Sequence, residues 1–224
     1  MESFSDLYGV GDRNIMGITM NDRHSLMHKS FFNTRKKESV EFHWKESPFV
    51  GEGSCICPDG SRYNGLFKGG LFHGEGTFTW PDGSRYEGLW SKGIPQGKGI
   101  MVMSEGYRFE GSWQNGRAEG EGQETLPDGG QYTGQWKQGL KNGHGDMVYA
   151  DGNRYTGEWK DDMCHGKGTL MFSDGSQYEG EWRESFIIGE GILTSADGKK
   201  YRGEWKDDGF KIIHRIASTG TKRK

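Results

Sequence analysis

The chain has little of what would build a single deep core or a cross-linked secreted fold. Its 224 residues include 5 prolines and 3 cysteines, only 31% are hydrophobic, and the mean hydropathy is -0.88. The low apolar content argues against one compact core, and the odd cysteine count argues against a disulfide framework. Scarce proline argues against collagen-like and proline-rich disordered chains. Without a long apolar run or a signal-like start, we expect a soluble protein of the cytoplasm.

Glycine and aromatic residues, in contrast, are abundant and recur at a fixed interval. Glycine supplies 39 residues and aromatic side chains 13%, including eight tryptophans, a content that a disordered chain would not carry. An aromatic anchor returns every 23 positions without insertion or deletion. The anchors are Tyr63, Tyr86, Phe109, Tyr132, Tyr155, Tyr178 and Tyr201. This regularity predicts a repeat protein that serves as a binding scaffold and not as a catalyst.

Other positions of the repeat are equally regular. Glycine follows each anchor at +2, and tryptophan follows at +4 except in the first unit, which has Phe67. Asp-Gly or Glu-Gly lies three to four positions before the anchor, and Gly-x-Gly lies at +11 and +13 until the last unit. The extent of this pattern along the chain predicts a repeat array at 40–205, with a degenerate first unit at 40–62. It also predicts a capping or partly disordered extension at 1–39 and a capping half-unit with a basic tail at 206–224.

Within a unit the pattern alternates with a period of two, which predicts short half-buried strands. Asp-Gly between alternating residues predicts a type I′ hairpin turn. Each unit is therefore expected to form two strands of an antiparallel meander. A fixed glycine between tyrosine and tryptophan indicates the close approach of an aromatic ring from an adjacent strand. The aromatic columns are interpreted as a structural ladder, with stacking of nucleobases or sugars as the alternative.

The combination of Tyr-x-Gly-x-Trp, Gly-x-Gly and Asp-Gly at this period resembles the membrane occupation and recognition nexus (MORN) repeat. The segments 86–93 and 165–168 match that pattern closely. The resemblance implies an all-β fold: an elongated, rolled antiparallel sheet of tandem hairpins, similar to a solenoid. It also implies an adaptor of ciliary structures, cytoskeletal assemblies, membrane junctions or partner enzymes. Phe109, Phe67, 94–96 and 186–188 depart from the family pattern.

No chemical motif points to catalysis, a cofactor or a metal. His73 and His165 are interpreted as turn residues, and Cys55 and Cys57 as small buried hydrophobic residues, because no second pair has zinc-site spacing. The segment 166–169 imitates a phosphate-binding loop but lacks its strand, gap and helix. The carboxylates fall in repeat columns and not in a convergent pair.

Charge is distributed unevenly. Residues 40–205 hold 17 Lys and Arg against 25 Asp and Glu, a net charge of -8, which opposes binding to nucleic acid or anionic lipid. A basic row at the -1 position and the basic tail remain weak candidates for an acidic surface, although cross-strand pairing with glutamates is the simpler explanation of the row. These weak candidates are Arg62, Arg85, Arg108, Lys222, Arg223 and Lys224.

Apolar residues at outward positions are the sharper candidates. The +3 position holds glutamate in the last three units but Leu66 and Leu89 in the first two, and nearby apolar residues extend this patch. The predicted partner-binding residues are Leu66, Leu71, Phe72, Leu89 and Ile94 in one patch and Phe186, Ile187 and Ile188 in another. Covering of these patches by 1–39 or 209–217 is the alternative.

The leading functional prediction is a protein–protein scaffold that is a structural or adaptor component of a cytoskeletal or ciliary (axonemal) assembly. The alternatives are a peripheral tether to anionic phospholipids and a docking module for a partner enzyme. The resemblance also allows a homodimer formed through the array ends. We expect protein partners, no nucleic acid and no cofactor.

Overall fold

The computed structural model describes residues 49–206 and 209–216, and within them every regular element is a β-strand. The extension at 1–39 and the basic tail lie outside the described residues. The strands are β1 (Val50–Ile56), β2 (Arg62–Lys68), β3 (Leu71–Thr79), β4 (Arg85–Ser91), β5 (Ile94–Val102), β6 (Arg108–Gln114), β7 (Arg117–Thr125), β8 (Gln131–Lys137), β9 (Leu140–Val148), β10 (Arg154–Lys160), β11 (Met163–Met171), β12 (Gln177–Arg183), β13 (Phe186–Thr194), β14 (Lys200–Lys206) and β15 (Gly209–Ile216).

The described residues divide into two compact units, 49–140 and 141–206 with 209–216. In the first unit, strands β1 to β8 each pair antiparallel with their neighbours in sequence. In the second unit, strands β9 to β15 do the same. The predicted all-β fold of tandem antiparallel hairpins is therefore confirmed. The described residues include no helix able to cross a membrane.

Each hairpin of 23 residues uses two different turns, and the prediction assigned one of them wrongly. In the turn formed by Asp82 and Gly83, Gly83 has a positive φ (85°) but Asp82 does not. The Trp80 amide donates to Ser84 O at 2.8 Å, and the Gly83 amide donates to Trp80 O at 3.0 Å. This pattern fits a type I turn followed by a left-handed glycine. The type I′ geometry lies at the other turn, where Lys92 and Gly93 have φ of 52° and 80°.

The aromatic columns form the core of each unit. Tyr86 is 0% and Trp90 5% exposed, and their ring centroids lie 5.0 Å apart in a T-shaped arrangement. Tyr86 also meets Trp113 of the next repeat at 5.2 Å, and the Trp90 Nε1–H donates to Gly76 O at 3.0 Å. Each such ring pair adds about 0.5–1.5 kcal/mol beyond its area burial. Because these rings are covered by one another, they are not free to stack on a ligand, and the ladder is structural.

The glycines lie close to their neighbours for two different reasons. A Cβ added at Gly88, the +2 glycine, would meet the backbone of the next strand, with Gly99 Cα at 2.5 Å and Lys98 O at 2.6 Å. A Cβ added at Gly99, the +13 glycine, would meet the ring of Tyr86, with Cζ at 2.5 Å. The ring contact predicted for the +2 glycine therefore occurs mainly at the +13 glycine.

Candidate functional site

In the first unit, the face opposite the aromatic rings carries a groove, here called the outward groove. It has a volume of about 1040 Å³ and is lined from Glu52 to Thr133. Its apolar lining consists of Leu66, Leu89 and Ile100, and its charged lining of Glu52, Glu75, Glu87, Glu110, Glu121 and Lys98. The groove therefore combines a small apolar surface with an excess of four carboxylates over basic groups.

Strand register pairs the +12 residue of one strand with the +3 residue of the next strand, once in each repeat, and these successive pairs are here called the central row. Glu52 is opposite Leu66, and Glu75 is opposite Leu89. Further along, Lys98 is opposite Ser112 and Glu121 is opposite Gln135. From β1 to β8 the central row reads Glu52, Leu66, Glu75, Leu89, Lys98, Ser112, Glu121 and Gln135.

The anchors hold the two leucines in place. The Tyr63 hydroxyl donates to Leu66 O at 2.9 Å, and the Tyr86 hydroxyl donates to Leu89 O at 3.2 Å. A Cβ at Gly74 would lie 2.7 Å from Leu66 Cδ1, which shows how closely this leucine packs on the backbone of β3. Both leucines nevertheless remain 37% and 39% exposed. They are fixed apolar groups that water still reaches.

The other residues of the predicted patch in the first unit lie on both faces of the sheet. Leu71 and Ile94 are also exposed, at 49% and 46%, but they begin strands β3 and β5 and are not turn residues. Phe72 is misassigned, because alternation along β3 turns it to the aromatic face. Its ring stacks on that of Tyr63 with centroids 3.8 Å apart.

The predicted patch of the second unit is not continuous. Phe186 is 44% exposed, but Ile187 is only 6% exposed and is opposite Trp182 on the aromatic face. Ile188 is half-buried and opposite Glu181. Because neighbours in a strand face opposite sides, Ile187 belongs to the core and cannot join Phe186 in one surface.

The basic row exists, but its partners differ along the chain. Arg62 and Arg85 are exposed, whereas Arg108 forms an ion pair with Glu110 of its own strand at 2.6 Å. In the second unit Arg154 does pair across strands, but with Asp146 at 2.9 Å and not with a glutamate as predicted. Exposed pairs of this kind contribute about 0–1 kcal/mol. Lys222, Arg223 and Lys224 lie outside the described residues.

The carboxylates of the two units have different surroundings. Among the described residues, nothing donates a hydrogen bond to the side chains of Glu52, Glu75, Glu87 or Glu121, and none of these four forms an ion pair. In the second unit, Glu158 occupies the +3 position instead of a leucine, and its carboxylate accepts from the Lys167 amide at 3.2 Å.

Two other outward carboxylates of the second unit are satisfied, whereas Glu179 and Glu181 of β12 accept no hydrogen bond within the described residues. Asp146 accepts from Thr156 Oγ1 at 2.6 Å and from Arg154 at 2.9 Å, and these two hydrogen bonds lower the pKa of Asp146. Glu190 accepts from Arg202 Nε at 2.9 Å. Among the described residues, the first unit differs in the exposed leucines that lie next to its unsatisfied carboxylates.

The cysteines and histidines give no metal or nucleophilic site in the part of the chain that the structure describes. No group of three or more His, Cys, Asp or Glu side chains could hold a metal ion there. Burial raises the pKa of Cys57 to about 11 and that of Cys164 to about 12. Both thiols are thus protonated at neutral pH, when only a thiolate would act as nucleophile or ligand.

The fold and its outward groove define a tandem-hairpin repeat protein with an open face. Comparison with family models gives the MORN repeat, matched seven times in succession. The matched residues are 43–62, 63–85, 86–106, 109–131, 132–154, 155–177 and 178–200. The chain belongs to the MORN-repeat family. The degenerate unit is the first of the seven matches, and the hairpin of β14 and β15 lies beyond the last.

Other comparisons are less informative. Comparison with curated proteins gives no significant match. The SAS-4 (dCPAP) TCP domain of Drosophila melanogaster, in complex with a proline-rich motif of Ana2 (dSTIL), is 12% identical with a TM-score of 0.44, covering 70% of this chain and 90% of that one. The TCP10 domain of Danio rerio CPAP, in complex with a STIL peptide, is 14% identical with a TM-score of 0.35, covering 75% and 100%. Both TM-scores are below 0.5, so function must be argued from the residues of this chain.

Proposed function

We propose that this chain is a non-catalytic scaffold that binds a partner protein through the outward groove, as a structural or adaptor component of a cytoskeletal or ciliary assembly. The observation that supports the binding role is the central row, in which two exposed leucines alternate with two carboxylates that have no partner among the described residues. The cytoskeletal or ciliary placement rests on the resemblance to the MORN family alone.

The groove suits a protein partner better than a small molecule. It is an open strip across several strands, whereas small-molecule sites are enclosed and mostly apolar. An interface needs apolar groups that lose water on binding and polar groups around them that find partners. Leu66 and Leu89 supply the former, and Glu52, Glu75 and Glu87 supply the latter.

The test is to replace Leu66 and Leu89 together by glutamate in the full chain and to measure partner capture and thermal stability. Proteins captured from extracts of ciliated cells are identified by mass spectrometry. The matched control is Met171→Glu, an apolar outward residue of the second unit that is 46% exposed. We expect specific partners to be lost with the double variant and kept with the control, while the melting temperature of the double variant stays within about 2 °C of the original. Loss of stability together with capture would assign the leucines a structural role.

A second candidate is a peripheral membrane tether, because Arg62 and Arg85 are exposed and form no ion pair within the described residues. Residues one repeat apart in a sheet lie about 10 Å from each other, a spacing suited to two lipid phosphates. Sedimentation with vesicles containing a phosphoinositide, at low and physiological salt, tests this function. Strong binding that is resistant to salt and lost in Arg62→Ala with Arg85→Ala would favour the tether over the scaffold.

A further inference from the structure

The repeat gives the outward groove a fixed spacing along the stack of strands. Neighbouring strands lie about 4.8 Å apart, so side chains at the same position of consecutive units are separated by about 9.6 Å. A polyproline II helix has three residues per turn and rises about 3.1 Å per residue, or about 9.3 Å per turn. One turn of such a segment therefore corresponds to one repeat of the groove.

Other conformations match the repeat less well. Two turns of an α-helix rise about 10.8 Å, so a helix lying across the strands would drift by more than 1 Å at each unit. Over the three intervals that join the four repeats of the first unit, the helix accumulates about 3.6 Å of mismatch and polyproline II about 0.9 Å. Only the smaller mismatch, that of polyproline II, keeps each side chain of the bound segment opposite the groove residue that it contacts.

The charges of the central row specify what such a segment would carry. Every second member is charged, in the order Glu52, Glu75, Lys98 and Glu121 along β1, β3, β5 and β7. The residues between them in the first two repeats are Leu66 and Leu89. A segment complementary to this order has a basic residue in three triplets, an acidic residue in the triplet facing Lys98, and an apolar residue beside the basic residues of the first two triplets.

We infer that the outward groove binds a partner segment in polyproline II conformation, crossing the strands with one residue triplet per repeat and with the charge order basic, basic, acidic, basic from β1 to β7. This inference rests on the proposed function and adds to it the conformation, period and charge of the partner. Lys98 determines the specificity of the groove, because it is the one basic side chain among the charged members of the central row, and the others are glutamates.

Blocked, fluorescently labelled dodecapeptides test the inference on the full chain by fluorescence anisotropy. The probe has four triplets of a charged residue, leucine and proline, with the charges ordered Lys, Lys, Glu, Lys. A second probe has the reverse order, because the chain direction of the segment is open. We expect one of the two to bind about tenfold more tightly than a peptide with lysine in all four triplets, a difference of about 1.4 kcal/mol. A scrambled peptide of the same composition should bind more weakly than either.

A change of charge in the groove supplies the decisive control. Lys98 is exposed, so Lys98→Glu should leave the fold intact, which a thermal melt verifies. The variant should prefer the peptide with four lysines by about tenfold, which reverses the original order. Glu181→Lys, a comparable change of sign in the second unit, should leave both affinities unchanged.

Several results would overturn the inference. Absence of binding by either probe, equal binding of the scrambled peptide, or an unchanged preference in Lys98→Glu would each do so. If the probes fail while Leu66→Glu with Leu89→Glu still abolishes partner capture, the proposed function stands and the inference alone is wrong.

Discussion

At the scale of single residues, the sheet depends on glycines that lie against the anchor tyrosines. Tyr86 is fully buried, and a Cβ at Gly99 would come within 2.5 Å of its ring carbon Cζ. The ring cannot retreat, because Trp90 and Trp113 pack against it on both sides. We predict that Gly99→Ala lowers the free energy of unfolding by about 3 kcal/mol, the upper range for overpacking a tight core. Denaturation in urea followed by tryptophan fluorescence measures this loss.

The control for this prediction is Gly53, which occupies the same repeat position as Gly99 in the degenerate unit. Gly53 has no anchor tyrosine beside it, and a Cβ there would meet the Phe49 ring at 3.3 Å. Phe49 is 42% exposed and can move aside. Gly53→Ala should therefore cost less than about 1 kcal/mol. Equal losses in the two variants would show that the tyrosine contact does not explain the glycine.

At the scale of strands and turns, the type I′ turns differ in how well their residues suit the backbone. The first turn position has a φ of 51° at both Asn115 and Glu184. Asparagine adopts this left-handed conformation readily, whereas glutamate does so at a cost of about 1 kcal/mol. We predict that Glu184→Asn raises the free energy of unfolding by about 0.5–1 kcal/mol and that Asn115→Ala lowers it by about 1 kcal/mol. Glu184→Gln, which removes the charge without favouring the turn, should change little. If Gln stabilised as much as Asn, charge and not backbone geometry would be the cause.

The strands also show what could be predicted from the sequence. Period-two alternation predicted the two faces, and the 23-residue period predicted the hairpin array, because both depend only on local spacing. The type of the Asp-Gly turn was predicted wrongly, since Asp-Gly is typical of type I′ turns but is also compatible with a type I turn and a left-handed glycine. Phe72 and Ile187 were assigned to the surface because strands β3 and β13 begin one residue earlier, at Leu71 and Phe186, and this start could not be recognised from the sequence.

At the scale of the whole chain, the candidate site was only partly predictable. Leu66 and Leu89 stood out because they break a polar column, and the structure places both in the groove. The partners of Leu66 and Leu89 in the central row, Glu52 and Glu75, could not be recognised from composition. Their significance depends on strand register, on the bulges that bring β3 against β2, and on the absence of a hydrogen-bond donor among the described residues.

The buried tyrosines and thiols also determine how the stability of the chain depends on pH. Burial raises the pKa of Tyr63 to about 12 and raises the pKa of Tyr86, Tyr155 and Tyr178 as well. A neutral group whose pKa is higher in the folded state stabilises the fold fully below its unfolded pKa. That stabilisation is lost as the pH rises towards the folded pKa, because the unfolded chain then binds fewer protons. The raised pKa values of Cys57 and Cys164 act in the same direction from about pH 9.

We therefore predict a stability plateau up to about pH 9 and a decline that steepens above pH 10. Each of these tyrosines and thiols, and Tyr149, whose pKa is also raised by burial, contributes about 1.4 kcal/mol per pH unit between its unfolded and its folded pKa, against a typical total stability of about 5–15 kcal/mol. Urea denaturation at intervals from pH 7 to 11.5 measures the slope. Tyr86→Phe should reduce the slope above pH 10 by about 1.4 kcal/mol per pH unit without disrupting the fold, because Phe109 already occupies the same repeat position and is 0% exposed. An unchanged slope in Tyr86→Phe would mean that this hydroxyl is ionised equally in the folded and unfolded chain, in conflict with its burial.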